Sequence, residues 1–149
     1  MYIREAFWNK VFAEAKDNKN VIFLTADYGD PKVFTNVGIA EQLMVNIATG
    51  LALCGKKVFC YAIDAFLVRR ALDQIYNACC MKLPIVFVGS GVDRDYLADG
   101  ATHWSCGNDV IMSEMPNIMY FTPQNNKQAI DAAERAMNTK YPFYVRLKR

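Results

Sequence analysis

Four side chains in this 149-residue chain have the chemistry to exchange protons or hold a polar substrate and stand where sites are built: Asp27, Glu41, Asp99 and His103. Glu41 lies in Asn36-Val-Gly-Ile-Ala-Glu-Gln42, where a glycine turn leads straight into a long apolar segment. An acid at a helix entry meets unpaired amides and the positive end of the helix dipole, so position alone accounts for a structural role. His103, the only histidine, shares with Asp99 a stretch from Gly89 to Gly107 rich in glycine and aspartate. Loops of that length are uncommon in compact domains and usually functional, and a histidine beside an acid suits proton exchange near neutral pH.

The elements that must position these groups follow from periodicity. Ile3, Phe7 and Val11, with Trp8, Phe12 and Ala15, predict a surface helix over 3–16. Short apolar runs at Val21–Leu24, Val58–Ala62, Ile85–Val88, Ile118–Phe121 and Phe143–Leu147 predict strands, the first of them buried on both faces, with a short extended piece at Val33–Asn36. Between them, Met44, Ile47, Ala48 and Leu51 predict a largely buried helix in which Gly50 allows close packing and Gly55 a stop. Leu67, Ala71, Ile75 and Ala78 predict a helix running to about Met81, and a short apolar helix ends near Met115. Thr122 as N-cap with Pro123 behind it predicts a last helix. Strands alternating with helices imply right-handed crossovers and an α/β fold: a mainly parallel sheet with helices on both faces. Ligands bind such sheets outside the carboxyl ends of the strands, which is where all four polar groups fall.

Composition narrows the function. With 53% hydrophobic and 21% charged residues the chain is an ordered globular protein, and its length suits one domain spanning residues 1–149. A net charge of +2, with scattered basic residues, gives no reason to expect nucleic acid. No apolar run reaches the roughly 20 residues of a membrane span and no leader pattern is present, so a cytoplasmic protein is expected. Five cysteines without paired knuckle spacing read as small buried thiols rather than a metal site.

Ala26–Asp27, Asn36-Val-Gly-Ile-Ala-Glu-Gln42, Phe66–Leu67 with Arg70–Ala71 and Asp73–Gln74, Asp99-Gly-Ala-Thr-His103, Pro116–Asn117 and Thr122–Pro123 occur in one order across nearly the whole chain. In that order they resemble the pyrimidine-binding domain of the transketolase and deoxyxylulose-phosphate synthase family of thiamine diphosphate enzymes. The resemblance implies that Glu41 is the carboxylate that bonds N1′ of the aminopyrimidine, letting the cofactor deprotonate its own thiazolium C2, in apolar surroundings. It implies that Phe66 packs on the pyrimidine and that Asp27 supports the cofactor or caps a turn. His103 then faces the substrate and exchanges protons with it, Asp99 binds a substrate hydroxyl, and Arg149 falls near a position that binds substrate phosphate. Arg69 and Arg70 are assigned to helix packing or subunit contacts.

Departures from the family pattern matter as much. No Gly-Asp-Gly followed at a distance by Asn is present, so the magnesium ion and the diphosphate are expected to be held by a partner subunit. The Tyr28–Val33 segment is shorter than the family's loop, Trp104 replaces a polar residue after the histidine, and Gly91 stands about where the family has another histidine. The resulting expectation is the pyrimidine-binding subunit of a split transferase acting on a ketose or ketoacid, inactive alone, with self-association through the partner-facing surface as a further expectation. Two alternatives stand beside it: a non-catalytic interaction or regulatory domain that kept the fold, and a fragment like a ketoacid dehydrogenase E1 beta subunit. A stand-alone nucleotide-binding module lacks its phosphate-cradling glycine loop.

Overall fold

The apolar runs become strands. The computed structural model describes residues 2–149 and joins β1 (Val21–Thr25), β2 (Thr35–Asn36), β3 (Lys57–Ile63), β4 (Ile85–Ser90), β5 (Met119–Phe121) and β6 (Phe143–Leu147) into one sheet. Every pairing is parallel, in the order β2-β1-β3-β4-β6-β5. Parallel neighbours require crossovers: residues 26–34 join β1 to β2 without a helix, and α2 (Glu41–Leu53), α3 (Asp64–Arg70) with α4 (Leu72–Cys80), α5 (Asn108–Ser113) and α6 (Asn126–Asn138) supply the later ones, while α1 (Ile3–Ala15) precedes the first strand.

Side-chain alternation along β3 divides the core. Val58, Cys60 and Ala62 pack with Met44 and Ala48 of α2 and with Ile75 and Ala78 of α4. Phe59 and Tyr61 pack on the other face with Phe7, Trp8 and Val11 of α1 and Ala129 and Ala133 of α6. All residues of β4 and β6 are buried, as strands covered on both faces must be. The layering is the expected one, helices on both sides of a parallel sheet.

Four local expectations are corrected. Helix α6 starts not at Thr122–Pro123 but after Asn125, whose Oδ1 accepts from the Gln128 amide at 2.9 Å while Gln128 Oε1 accepts from the Gln124 amide at 2.8 Å. An asparagine cap answered by a glutamine at N3 outcompetes the threonine before it. The helix expected from Leu67 to Met81 is two helices that meet at the fully buried Ala71 (φ −113°, ψ 22°). Their anchors differ, Asp64 at the end of the sheet and Ile75 with Ala78 in the core, and the offset lets both be met. Gly50 is exposed, with open space where a Cβ would stand, and α2 buries one face only, leaving Leu43 and Leu53 exposed. Of the five free cysteines, Cys60 and Cys79 are buried and Cys54, Cys80 and Cys106 are exposed.

The sheet order fixes where a site can form. The chain steps from β1 outward to β2, then returns past β1 to β3, so its direction of winding reverses between β1 and β3. The connection after β1 packs Tyr28 and Phe34 on the α1 face, whereas α3, after β3, packs Leu67 and Val68 on the α2 face, so the chain leaves these neighbouring strands on opposite sides and a crevice opens outside their carboxyl ends.

Candidate functional site

Beyond β1 the chain makes a tight turn. The Thr25 hydroxyl is within hydrogen-bond reach of the Tyr28 carbonyl and, at 2.9 Å, of the Tyr61 carbonyl, and Asp27 takes a left-handed conformation (φ 77°). Asn36 then stitches this turn to the next: its Oδ1 accepts from the amides of Asp27 (3.1 Å) and Gly38 (2.8 Å), and its Nδ2 donates to the Asp27 carbonyl (2.9 Å). Gly38 sits at φ 80°, where a side chain is strained, and two residues later the chain enters α2. Glu41 is therefore delivered to the crevice by a turn whose geometry Asn36 sets.

Glu41 is only 4% exposed. The apolar surroundings expected for it are corrected by Arg70, whose Nη1 donates to Oε1 at 2.9 Å and to Oε2 at 3.1 Å. The same guanidinium stacks 3.9 Å from the centroid of the Phe66 ring. His103 also meets that ring, its imidazole 4.9 Å away and edge-on at 67°, with Nδ1 3.0 Å from the Thr102 hydroxyl. Asp27, Glu41, Phe66, Arg70 and His103 line one cavity of about 210 Å³, closed below by Ala26 and Ile63. Asp99 is exposed on a 3-10 turn at Leu97–Asp99 and does not line this cavity. Arg149 is likewise elsewhere, over the Tyr96 ring at 5.2 Å and bordering a different cleft.

The wall carrying Phe66 and Arg70 is held from behind by a buried polar cluster. Asp64, the first residue of α3 and fully buried, accepts from the Tyr144 hydroxyl, from Asn108 Nδ2 at 3.2 Å and from Arg146 Nε at 3.4 Å. Burial lifts the Asp64 carboxyl above its ordinary range, opposed by those donors. Arg146 in turn reaches Asp93 Oδ1 at 3.0 Å and the Ser105 carbonyl at 3.3 Å, so the cluster ties α3 to both ends of the loop that bears His103. Gly89 makes room for it: a Cβ there would lie 2.0 Å from Asp64 Oδ1.

Three of these parts have a signal in the sequence and one does not. Asn36 heads the glycine motif, and Arg70 stands one helical turn after Phe66, so both were within reach of spacing. Asp64 also stands two residues before Phe66. Arg146, separated from Asp64 by 82 residues, has no local signature.

The comparisons agree with this fold. The family model described as transketolase, pyrimidine binding domain, matches residues 1–149. A putative transketolase C-terminal section from Methanocaldococcus jannaschii is 29% identical over 99% of this chain and 50% of its own length. A 1-deoxy-D-xylulose-5-phosphate synthase from Clostridium kluyveri is 30% identical over 95% of this chain and 25% of its own length. An uncharacterized 33.6 kDa protein in the fasciation locus of Rhodococcoides fascians is 33% identical over 85% of this chain and 41% of its own length. The chain thus spans half or less of the curated relatives it matches. Among solved structures, a split-gene transketolase in the form of an inactive beta4 tetramer superposes with a TM-score of 0.86 at 27% identity, over all of this chain and 51% of that one. A Pichia stipitis transketolase mutant, at 17% identity and a TM-score of 0.90, shows the same fold.

Proposed function

The chain belongs to the family of transketolase pyrimidine-binding domains, and on that premise we propose that it is the pyrimidine-binding subunit of a split, thiamine diphosphate-dependent transferase acting on a ketose or ketoacid. The observation that carries the reading is the convergence of a buried Glu41, the Phe66 ring and His103 on one cavity at the sheet's switch point. Those residues fit the pyrimidine end of the cofactor: a buried carboxylate for a ring nitrogen, and an aromatic wall for a flat heterocycle. When bound, thiamine diphosphate supplies a carbon nucleophile that attacks the substrate carbonyl.

The chain's own residues then divide the work. Glu41 shares a proton with the pyrimidine ring nitrogen and orients the ring. Arg70 neutralises Glu41 while no ring is there; its side chain, 43% exposed, has room to turn outward from Phe66. Phe66 packs on the ring and excludes water, and Asp27 borders the same space. His103 holds or returns a proton at the substrate's oxygen from Nε2, the ring nitrogen that does not face the Thr102 hydroxyl. Asp99 and Arg149, outside the cavity, serve the distal parts of a substrate: a hydroxyl for the acid, an anionic group for the arginine.

The magnesium ion and the diphosphate fall to a second polypeptide, since the chain carries no Gly-Asp-Gly-to-Asn pattern. Relatives that are a transketolase section or a split-gene transketolase support a partner subunit of this kind. The inactive state named for that tetramer favours a chain that is silent alone and self-associates through the surface awaiting its partner. The test is reconstitution with a diphosphate-binding subunit. Glu41→Gln should lower turnover by about 10²–10⁴-fold, the range for loss of a positioned proton-transfer group, and weaken thiamine diphosphate binding in calorimetry. Retention of most of the turnover would sink the assignment.

A further inference from the structure

A second cleft, of about 550 Å³, opens between the first turns of α1 and the Tyr28–Asp30 turn. Its walls are aromatic. Trp8 meets Phe34 edge-on at 5.2 Å and stacks on Phe12 at 5.2 Å, so the rings form a rigid surface. Two guanidinium groups border the opening, and neither forms a salt bridge to a carboxylate among the described residues. Arg4 Nη1 donates to Ser90 Oγ at 3.2 Å, Ser90 Oγ lies 3.3 Å from the Tyr96 hydroxyl, and Arg149 sits over the Tyr96 ring. The two cations therefore converge on one side of the cleft.

The two acids on the lining are engaged locally. Glu5 Oε2 accepts from the Tyr2 amide at 3.1 Å and Asp30 Oδ1 from the Lys32 amide at 2.9 Å. Trp8, 7% exposed, keeps an indole N–H with no hydrogen-bond partner on the lining of this cleft. A buried donor left unpaired is rare and calls for an acceptor. We infer that this cleft is a binding site for a small aromatic carboxylate: a flat apolar body against Trp8, Phe12 and Phe34, with its carboxylate toward Arg4 and Arg149. A polyhydroxylated sugar phosphate suits it poorly, because ring faces would leave its hydroxyls without partners. Tyr28 and Ile63 line both this cleft and the Glu41 cavity, so the occupant would lie beside the proposed reaction site.

The site can be tested on the 149-residue chain without cofactor, so its failure would leave the Glu41 reading, tested by turnover, untouched. In a Trp104→Phe variant Trp8 is the only tryptophan, and its fluorescence reports on the cleft directly. Titration with 3-phenylpropionate should give saturable one-to-one binding. The uncharged 3-phenylpropan-1-ol should bind at least about tenfold more weakly, and Arg4→Met should cost the carboxylate a similar factor while leaving the alcohol unaffected. Phenyl phosphate and inorganic phosphate complete the series, both expected to bind more weakly than the carboxylate. Absence of saturation in the millimolar range, equal affinity for the alcohol, indifference to Arg4→Met, or tighter binding of either phosphate would overturn the inference.

Discussion

Glu41 and Arg70 show how one residue's role depends on another's placement. A carboxylate buried to 4% exposure is tolerable because a guanidinium reaches both of its oxygens. Replacing Arg70 with Met should therefore destabilise the chain by about 1–3 kcal/mol, the cost of an unpaired buried charge tempered by Arg70's partial exposure, as read by urea unfolding. Adding Glu41→Gln to that variant should recover most of the loss; if the two losses simply add, the pair is not coupled. Glu41 was legible in the sequence because its signal is local, a glycine turn with an acid at a helix entry. Arg70 was misread as a packing or contact residue because its partner lies 29 residues away and only the fold brings the two together. The same holds for Arg146, whose meaning rests on a carboxylate on another strand's helix.

At the scale of elements, packing density sets the strongest test. Gly89 in β4 has no room for a methyl group beside the buried Asp64, so Gly89→Ala should destabilise by about 1–3 kcal/mol or prevent folding. Asp64→Ala in the same background should relieve part of that loss if the clash is the cause. The opposite end of the sheet offers a pH test. Lys57, at the start of β3, is partly buried, and burial lowers its ammonium to about 8 while Nζ donates to the Thr139 carbonyl at 2.6 Å. The folded chain thus releases this proton at lower pH than the unfolded chain, whose lysine titrates near 10.5. Stability should rise with pH between about 8 and 10.5, with a slope of at most about 1.4 kcal/mol per pH unit, and Lys57→Met should flatten it. Element types were readable from apolar runs and 3.6-residue spacing because those patterns record burial. Boundaries were less so: the start of α6 was decided by Asn125 and Gln128 over Thr122, and the break at Ala71 by tertiary anchors with no residue of unusual propensity.

For the whole molecule, the parallel sheet and its helical layers were legible and the strand order was not. Alternating strands and helices predicted the parallel sheet, and the reversal between β1 and β3 explains why Asp27, Glu41, Phe66 and His103 share a cavity. Asp99 and Arg149 fell outside it because proximity along a sheet edge does not fix which way a loop folds. Near the cavity, Ile39 and Leu43 are 69% and 51% exposed, an apolar rim suited to cover by another chain. Leu43→Glu should reduce self-association in light scattering at fixed concentration and impair capture by the diphosphate-binding subunit; an unchanged mass and unchanged capture would exclude this rim as the contact surface. No helix among the described residues is long and apolar enough to cross a membrane. Strand β3 ends at Ile63 and α3 begins at Asp64, with no connecting residue between them. The wall bearing Phe66 has no hinge of its own, so adjustment to substrates of different size must come from the long loop around His103 and from whatever closes over the opening.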